Sequence, residues 1–306
     1  MKKAIITGAT GAIGIALCRE LIANGVEVLV LAREGSARNE SIPKSPLVKV
    51  RYCDLSGLAS LQNEQGERYD VFYHFAWEGT TGAARNDMYL QNRNVTFALD
   101  AVEAAARFGC TRFVGAGSQA EYGRVEGLLT PDTPARPEMG YGMGKLCAGL
   151  MTREAAHAKG MQHNWVRILS VYGPHDGKQS MVMSTVDKLQ AGIAPQFTKG
   201  EQLWDYLYSG DAAAAFRLVG ERGRDGATYV LGSGKAQPLR AYIEQIRDSV
   251  SPDFPLTFGE IPYADRQVMH LQADTTALCA DTGWTPRVDF AAGLAEILKT
   301  KADDEK

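Results

Sequence analysis

The chain has 306 residues, enough for one large α/β unit or for a core with a smaller lobe. Apolar residues make up 45% and charged residues 23%, and a formal net charge of -3 gives no broad electrostatic case for nucleic acid or an anionic membrane. Cys18, Cys53, Cys110, Cys147 and Cys279 lack CxxC spacing, which reads as reduced thiols in the cytoplasm with no metal site, and no segment approaches the length of a membrane span.

KAIIT at 3–7 reads as a first strand, although the basic start MKK superficially resembles a short signal peptide. TGATGAIG follows at once and opens the helical pattern IGIALCRELIANG. Gly8, Gly11 and Gly14 suit a tight turn, a close approach to pyrophosphate and helix-on-strand packing, with Ala12 and Ile13 at the helix N-terminus. The spacing is G-x-x-G-x-x-G, and its position directly after a strand sets it apart from ordinary turn glycines.

The second strand, VEVLVLA, ends at Ala32 and Arg33. An acid here would take the ribose 2′-hydroxyl of NAD, whereas a basic residue suits a 2′-phosphate. Arg33, with Ser36 and Arg38 just beyond, therefore points to NADP(H) over NAD(H); the plain alternative is a solvated loop arginine. After the third strand, VKVRYC, Asp54 is placed to accept from an adenine amino group or to cap the next helix.

VFYHFA, TRFVGAG and NWVRILSVY continue the strands, with NVTFALDAVEAAARFG as an intervening helix. Such alternation predicts βαβ units and a doubly wound parallel sheet, a Rossmann-like dinucleotide domain over 1–172. Beyond it the rhythm loosens. The helical patterns SMVMSTVDKLQAG, DAAAAFRLVGER, LRAYIEQIRDSV and VDFAAGLAEILKT predict a smaller α/β lobe over 173–306, with segments interleaved with the sheet. The tail KTKADDEK is expected to fray.

TGATGAIG, the Asp54–Leu55 pair, HFAW at 74–77, SQAEYG, YGMGK, VRILSVYGPHD, WDYLYSGD and DTTALCADTGWTP occur in this order over nearly the whole chain. As a set they resemble the extended short-chain dehydrogenase/reductase family. The resemblance implies a Rossmann-like domain with a C-terminal substrate lobe, and activity on nucleotide-linked sugars. It also implies cofactor contacts from the glycine loop and from Leu55, Phe75, Ala76, Trp77 and Asn94.

A catalytic set of Ser118, Tyr141 and Lys145 is implied as well. Tyrosine ordinarily ionises near pH 10, too high for easy proton exchange near neutrality. Lys145 lies one helical turn from Tyr141, can stabilise its phenolate, and can hold the nicotinamide ribose. Ser118 would bind the substrate oxygen while Tyr141 exchanges its proton.

The 4,6-dehydratases of this family place an acid pair directly after that serine. Here Gln119 and Ala120 stand there, which argues against dehydration; Glu121 is one residue out of step. The fucose-type epimerase/reductases carry a cysteine at the position of Ala120 and a histidine matching His175, and this chain keeps only the histidine. What remains is carbonyl reduction or C4 epimerisation. Arg33 tips that choice to NADPH-dependent reduction of a nucleotide-linked 4-keto-6-deoxy sugar. The alternatives are a C4 epimerase with retained cofactor or a non-catalytic dinucleotide-binding module.

Two diphosphate-holding arginines of the relatives are replaced here by Trp204 and Ala264, with Arg266 or Lys178 as substitutes, and Ser170 stands where many relatives have asparagine. Gln119, Ser170, His175, Lys178, Trp204 and Arg266 are thus the substrate candidates. Trp204 and Trp77 suit an aromatic wall as readily as core packing. The long helical patterns around 87–109 and 141–160 match those that pair relatives into homodimers.

Overall fold

Most strand-forming runs of the main sheet are β-branched and aromatic stretches whose central residues are buried on both faces, as a covered parallel sheet requires, whereas the edge run VKVRY at 48–52 leaves Val50 and Tyr52 exposed. In the computed structural model, which describes residues 1–304, they form β1 (Lys3–Thr7), β2 (Glu27–Ala32), β3 (Val48–Tyr52), β4 (Val71–His74), β5 (Arg112–Ser118) and β6 (Gln162–Ile168). Shorter strands follow: β7 (Ser170–Tyr172), β8 (Leu203–Trp204), β9 (Tyr206–Tyr208), β10 (Thr228–Leu231) and β11 (Gln237–Pro238). The helices are α1 (Ala12–Ala23), α2 (Met88–Arg107), α3 (Gly140–Ala158), α4 (Met181–Gln190), α5 (Ser209–Arg222), α6 (Leu239–Val250), α7 (Thr276–Thr282) and α8 (Phe290–Asp304).

Seven parallel strands form the main sheet in the order β10-β6-β5-β4-β1-β2-β3. The register sets Ile5 beside Leu29 on one side and Phe72 on the other. Strand order reverses between β1 and β4, which opens a crevice at their carboxyl ends. Leu17, Leu21, Phe216 and Val219, from α1 and α5, fill one face of the sheet, and Ala101, Ala105 and Ala156, from α2 and α3, fill the other. The expected Rossmann-like fold is therefore present.

NWVRILSVY divides into two strands. Its first part ends in the main sheet at Ile168, and Ser170–Tyr172 pairs instead with β9. That departure takes the chain into the lobe, where Tyr172, Val186, Ile246, Leu294 and Ile297 form a separate core. Two buried aspartates fasten this region to the sheet. Asp205 accepts from the backbone N–H of Ser233, Gly234 and Ala273 at 2.6, 3.0 and 3.0 Å, and Asp211 accepts from those of Arg287 and Val288 at 2.9 and 2.8 Å. At the tail, α8 continues through Asp304, and 305–306 lie outside the described residues.

Candidate active site

The glycine loop lies at the crevice between β1 and β4. Gly8 has φ +76°, and a Cβ there would sit 2.6 Å from the Ala76 nitrogen, so only glycine lets this loop lie against the segment after β4. A Cβ on Gly14 would lie 2.3 Å from the Gly8 carbonyl oxygen. Gly11, by contrast, meets nothing closer than 3.8 Å, which leaves its face open to a phosphate. It is the N-cap of α1 and brings no side-chain acceptor, so N–H groups of the first turn, at Ala12 and Ile13, stay free for an anion.

A cleft of about 500 Å³ runs from this loop past Arg33, Ser36, Arg38, Asp54 and Leu55 to Phe75, Ala76 and Trp77. Asn39 also lines it. Its amide donates to the Arg33 carbonyl at 2.9 Å, while its buried Oδ1 has no partner. An open phosphate face, an adenosine-sized groove and an orphaned acceptor at its far end fit a dinucleotide. Asn94 is not in the cleft lining. It exchanges two 2.9 Å bonds with the Glu78 backbone and so pins the loop that carries Phe75–Trp77.

The catalytic candidates meet where β5 ends. A 3₁₀ turn at Gln119–Glu121 follows Ser118, and the first turn of α3 lies directly against it. Gly142 permits this, since a Cβ there would be 2.2 Å from the Ala120 carbonyl oxygen. The close approach seats the half-buried Tyr141 beside the turn that follows Ser118. Burial pushes the Tyr141 phenol above its ordinary value, opposed by that serine and by the charge of Arg85.

Lys145 is fully enclosed. Its ammonium donates to the Ala116 carbonyl at 2.8 Å and lies 3.9 Å from the centre of the Trp77 ring, against 5.9 Å from that of Tyr141. Burial pulls it down to about 7, with Glu121 opposing.

Glu121 turns into the core. Its carboxylate accepts from the Ser118 backbone N–H at 2.8 Å, Trp165 Nε1 at 2.9 Å and Arg167 Nε at 2.7 Å. The acid of SQAEYG thus braces the serine and is withdrawn from chemistry.

The substrate candidates are dispersed more widely. Trp204 Nε1 donates to Ser170 Oγ at 2.8 Å, joining two of them. Gln119 is half-buried in the 3₁₀ turn, and Lys178 is exposed. Arg266 donates to the Glu138 carbonyl at 3.3 Å, just ahead of α3. His175 has φ +65° and lines a different cleft, between α1 and the start of α5, with its Nε2 3.2 Å from Arg19 Nη2. Sequence reasoning passed over Asn39, Gln91 and Arg85. None lies in a recognisable motif, and only tertiary packing brings Asn39 to the cleft, Gln91 to Trp77 and Arg85 to Tyr141.

A profile described as the NAD dependent epimerase/dehydratase family matches residues 4–232. A dTDP-glucose 4,6-dehydratase of Streptomyces griseus is 25% identical over 96% of this chain and 92% of its own. A UDP-glucose 4-epimerase of Mycolicibacterium smegmatis is 26% identical over 97% of both. Among solved structures, a UDP-N-acetylglucosamine 4-epimerase from Methanobrevibacter ruminantium, in complex with UDP-N-acetylmuramic acid, superposes with TM-score 0.88 at 20% identity over 99% of each chain. DesIV, a dTDP-glucose 4,6-dehydratase from Streptomyces venezuelae with NAD and TYD bound, gives 0.84 at 22% identity over 99% of this chain and 98% of its own.

Five solved structures, of four relatives, carry NAD. This overturns the expectation of NADP(H) over NAD(H), and with it the NADPH-dependent ketoreductase. The physical reason lies at the cleft mouth, where Arg33 and Arg38 are exposed. A guanidinium there can lie against adenine or a plain ribose, so a missing acid does not by itself select a 2′-phosphate.

Proposed function

Because the chain belongs to the NAD dependent epimerase/dehydratase family, we propose that it interconverts the C4 epimers of a nucleotide-linked sugar with NAD retained through the cycle. The free N–H groups at Ala12 and Ile13 would hold the pyrophosphate, and Arg33, Ser36, Asn39, Asp54 and Leu55 the adenosine. Phe75–Trp77 and Lys145 would border the nicotinamide end. Bound NAD supplies reversible acceptance of hydride from the sugar carbon.

The chain's own residues handle the oxygen. Ser118 hydrogen-bonds the C4 oxygen, and Tyr141 takes its proton and later returns it. The observation that carries this reading is the close seating of Tyr141, in the first turn of α3, against the turn that follows Ser118, with Gln119 and Ala120, rather than acids, directly after the serine. Gln119 and Ala120 cannot titrate, and Glu121 is held by three donors. Elimination of water needs a second acid–base group; epimerisation at C4 does not.

The joined Trp204 and Ser170, with Arg266 near the start of α3, would receive the nucleotide sugar. Assignment of 1–172 to the cofactor and 173–306 to the substrate belongs to the same proposal, supported by the lobe's separate core. A cytoplasmic setting does too, supported by five unpaired thiols. No helix among the described residues is long and apolar enough to cross a membrane.

The test incubates the purified protein with UDP- and dTDP-linked hexoses and follows the sugar by NMR alongside nicotinamide absorbance. The expected result is interconversion of C4 epimers without net change in nicotinamide. Release of a 4-keto-6-deoxy product would overturn the proposal in favour of dehydration.

A further inference from the structure

The loop after β4 carries a cation that lies on the catalytic tyrosine. Arg85 Cζ is 4.2 Å from the centre of the Tyr141 ring. Its Nη1 donates to the Thr80 carbonyl at 2.9 Å, and its Nε points at Met139 Sδ at 3.3 Å. It forms no ion pair among the described residues, although it is half-buried. A guanidinium withdrawn from water without a carboxylate is costly unless another group compensates, and here the π-face of Tyr141 does so.

The loop is held in place. Gln91 Nε2 donates to the carbonyls of Gly79 and Ala84 at 3.1 and 2.9 Å, and its Oε1 accepts from Trp77 Nε1 at 2.8 Å. Asn86 Oδ1 accepts from the Gly140 N–H at 3.0 Å, tying the loop to the first residue of α3. Arg85 is thus fixed from the same helix turn that carries Tyr141.

We propose that Arg85 is a positioning residue for proton transfer: stacked on the Tyr141 ring, it steadies the phenolate form that accepts the proton of the sugar hydroxyl. The idea rests on the proposed epimerase reading. The sugar O–H bond breaks as the phenol O–H forms, and the return half-reaction reverses both, so the proton balance is zero.

The other groups facing Tyr141 leave this role open. Ser118, at the end of β5, is a neutral donor. Glu121, in the following turn, opposes ionisation, and its charge is matched by Arg167 at 2.7 Å. Lys145, on α3, is engaged by the Ala116 carbonyl and by Trp77 from the loop after β4. Of these cations Arg85 is nearest the ring.

The experiment compares wild type, Arg85→Met and Arg85→Lys, each with and without Tyr141→Phe, by near-ultraviolet titration of tyrosinate. The difference within each pair isolates Tyr141 from the other tyrosines and needs no catalytic activity. In Arg85→Met the Tyr141 titration should move up by on the order of one pH unit, and Arg85→Lys should recover much of it. Epimerase assays should show the rising limb of kcat displaced to higher pH by a similar amount, with KM little changed.

An unmoved Tyr141 titration in Arg85→Met would overturn the proposal, whatever the activity. So would a rise in KM at constant kcat, which would make Arg85 a substrate-binding group. If Arg85→Met does not fold, Arg85→Lys and Arg85→Gln decide the same question. A moved titration in a protein without epimerase activity would uphold the Arg85–Tyr141 coupling and reject the epimerase reading alone.

Discussion

Burial draws Lys145 from 10.5 down to about 7, so between those values the folded protein holds one proton fewer here than the unfolded chain. Stability therefore rises with pH across that window, by up to about 1.4 kcal/mol per pH unit from this group. Below pH 7 the ammonium is charged in both states, and the cost of burying it is fully present. Lys145→Met should accordingly be more stable than wild type at pH 7, with a flatter dependence between pH 7 and 9. Urea unfolding at several pH values measures this, and an unaltered slope would refute it. Tyr141→Phe makes the complementary case. It should cost at least roughly a hundredfold in kcat while the retained nucleotide is unchanged, because the hydroxyl serves proton transfer and the glycine loop serves binding. Nucleotide content on purification and turnover with a nucleotide sugar check the two halves separately.

At the level of elements, the site depends on close approaches that glycine allows. Gly142 is the most telling, because it seats α3 against the turn at Gln119–Glu121. Gly142→Ala should push the helix away from Ala120 and part Tyr141 from Ser118. A displacement on that scale is expected to cost about a hundredfold in kcat with the fold intact, as circular dichroism and turnover would show. Gly14→Ala sets a methyl against the Gly8 carbonyl and should instead abolish nucleotide retention. The cage around Glu121 explains why the serine strand ends so firmly. Replacing Glu121 with Ala strands the buried Arg167 and should destabilise the protein by roughly 3–5 kcal/mol in chemical denaturation.

For the molecule as a whole, the outer faces of α2 and α3 present exposed apolar side chains. Met143, Leu150 and Met151 lie on one stripe of α3 with the exposed Cys147, and Met88 and Tyr89, the latter 84% exposed, stand at the start of α2. A stripe of this kind suits a second copy of the chain, so a homodimer is expected. Light scattering should give twice 33.2 kDa, and Tyr89→Glu with Leu150→Glu should halve it; a wild-type mass near 33.2 kDa would exclude the dimer.

Periodicity and glycine spacing by themselves determined the alternating strands and helices and the first βα turn, because each rests on local geometry or on spacing along one element; the Ser118–Tyr141–Lys145 set was read from the resemblance that the ordered motifs carry. That Gln119 and Ala120 cannot titrate was legible as well, since this holds for either side chain wherever it points. Cofactor choice was not legible. Arg33 is one exposed side chain at a cleft mouth, and its meaning depends on what lies opposite, including Asn39 from another turn. Only the tertiary structure decided that Glu121 faces Arg167, that Lys145 lies against Trp77, and that Arg85 covers Tyr141. Those contacts join residues far apart in the chain or separated by irregular loops, where no hydrophobic period records direction, and burial then sets which charges each group feels.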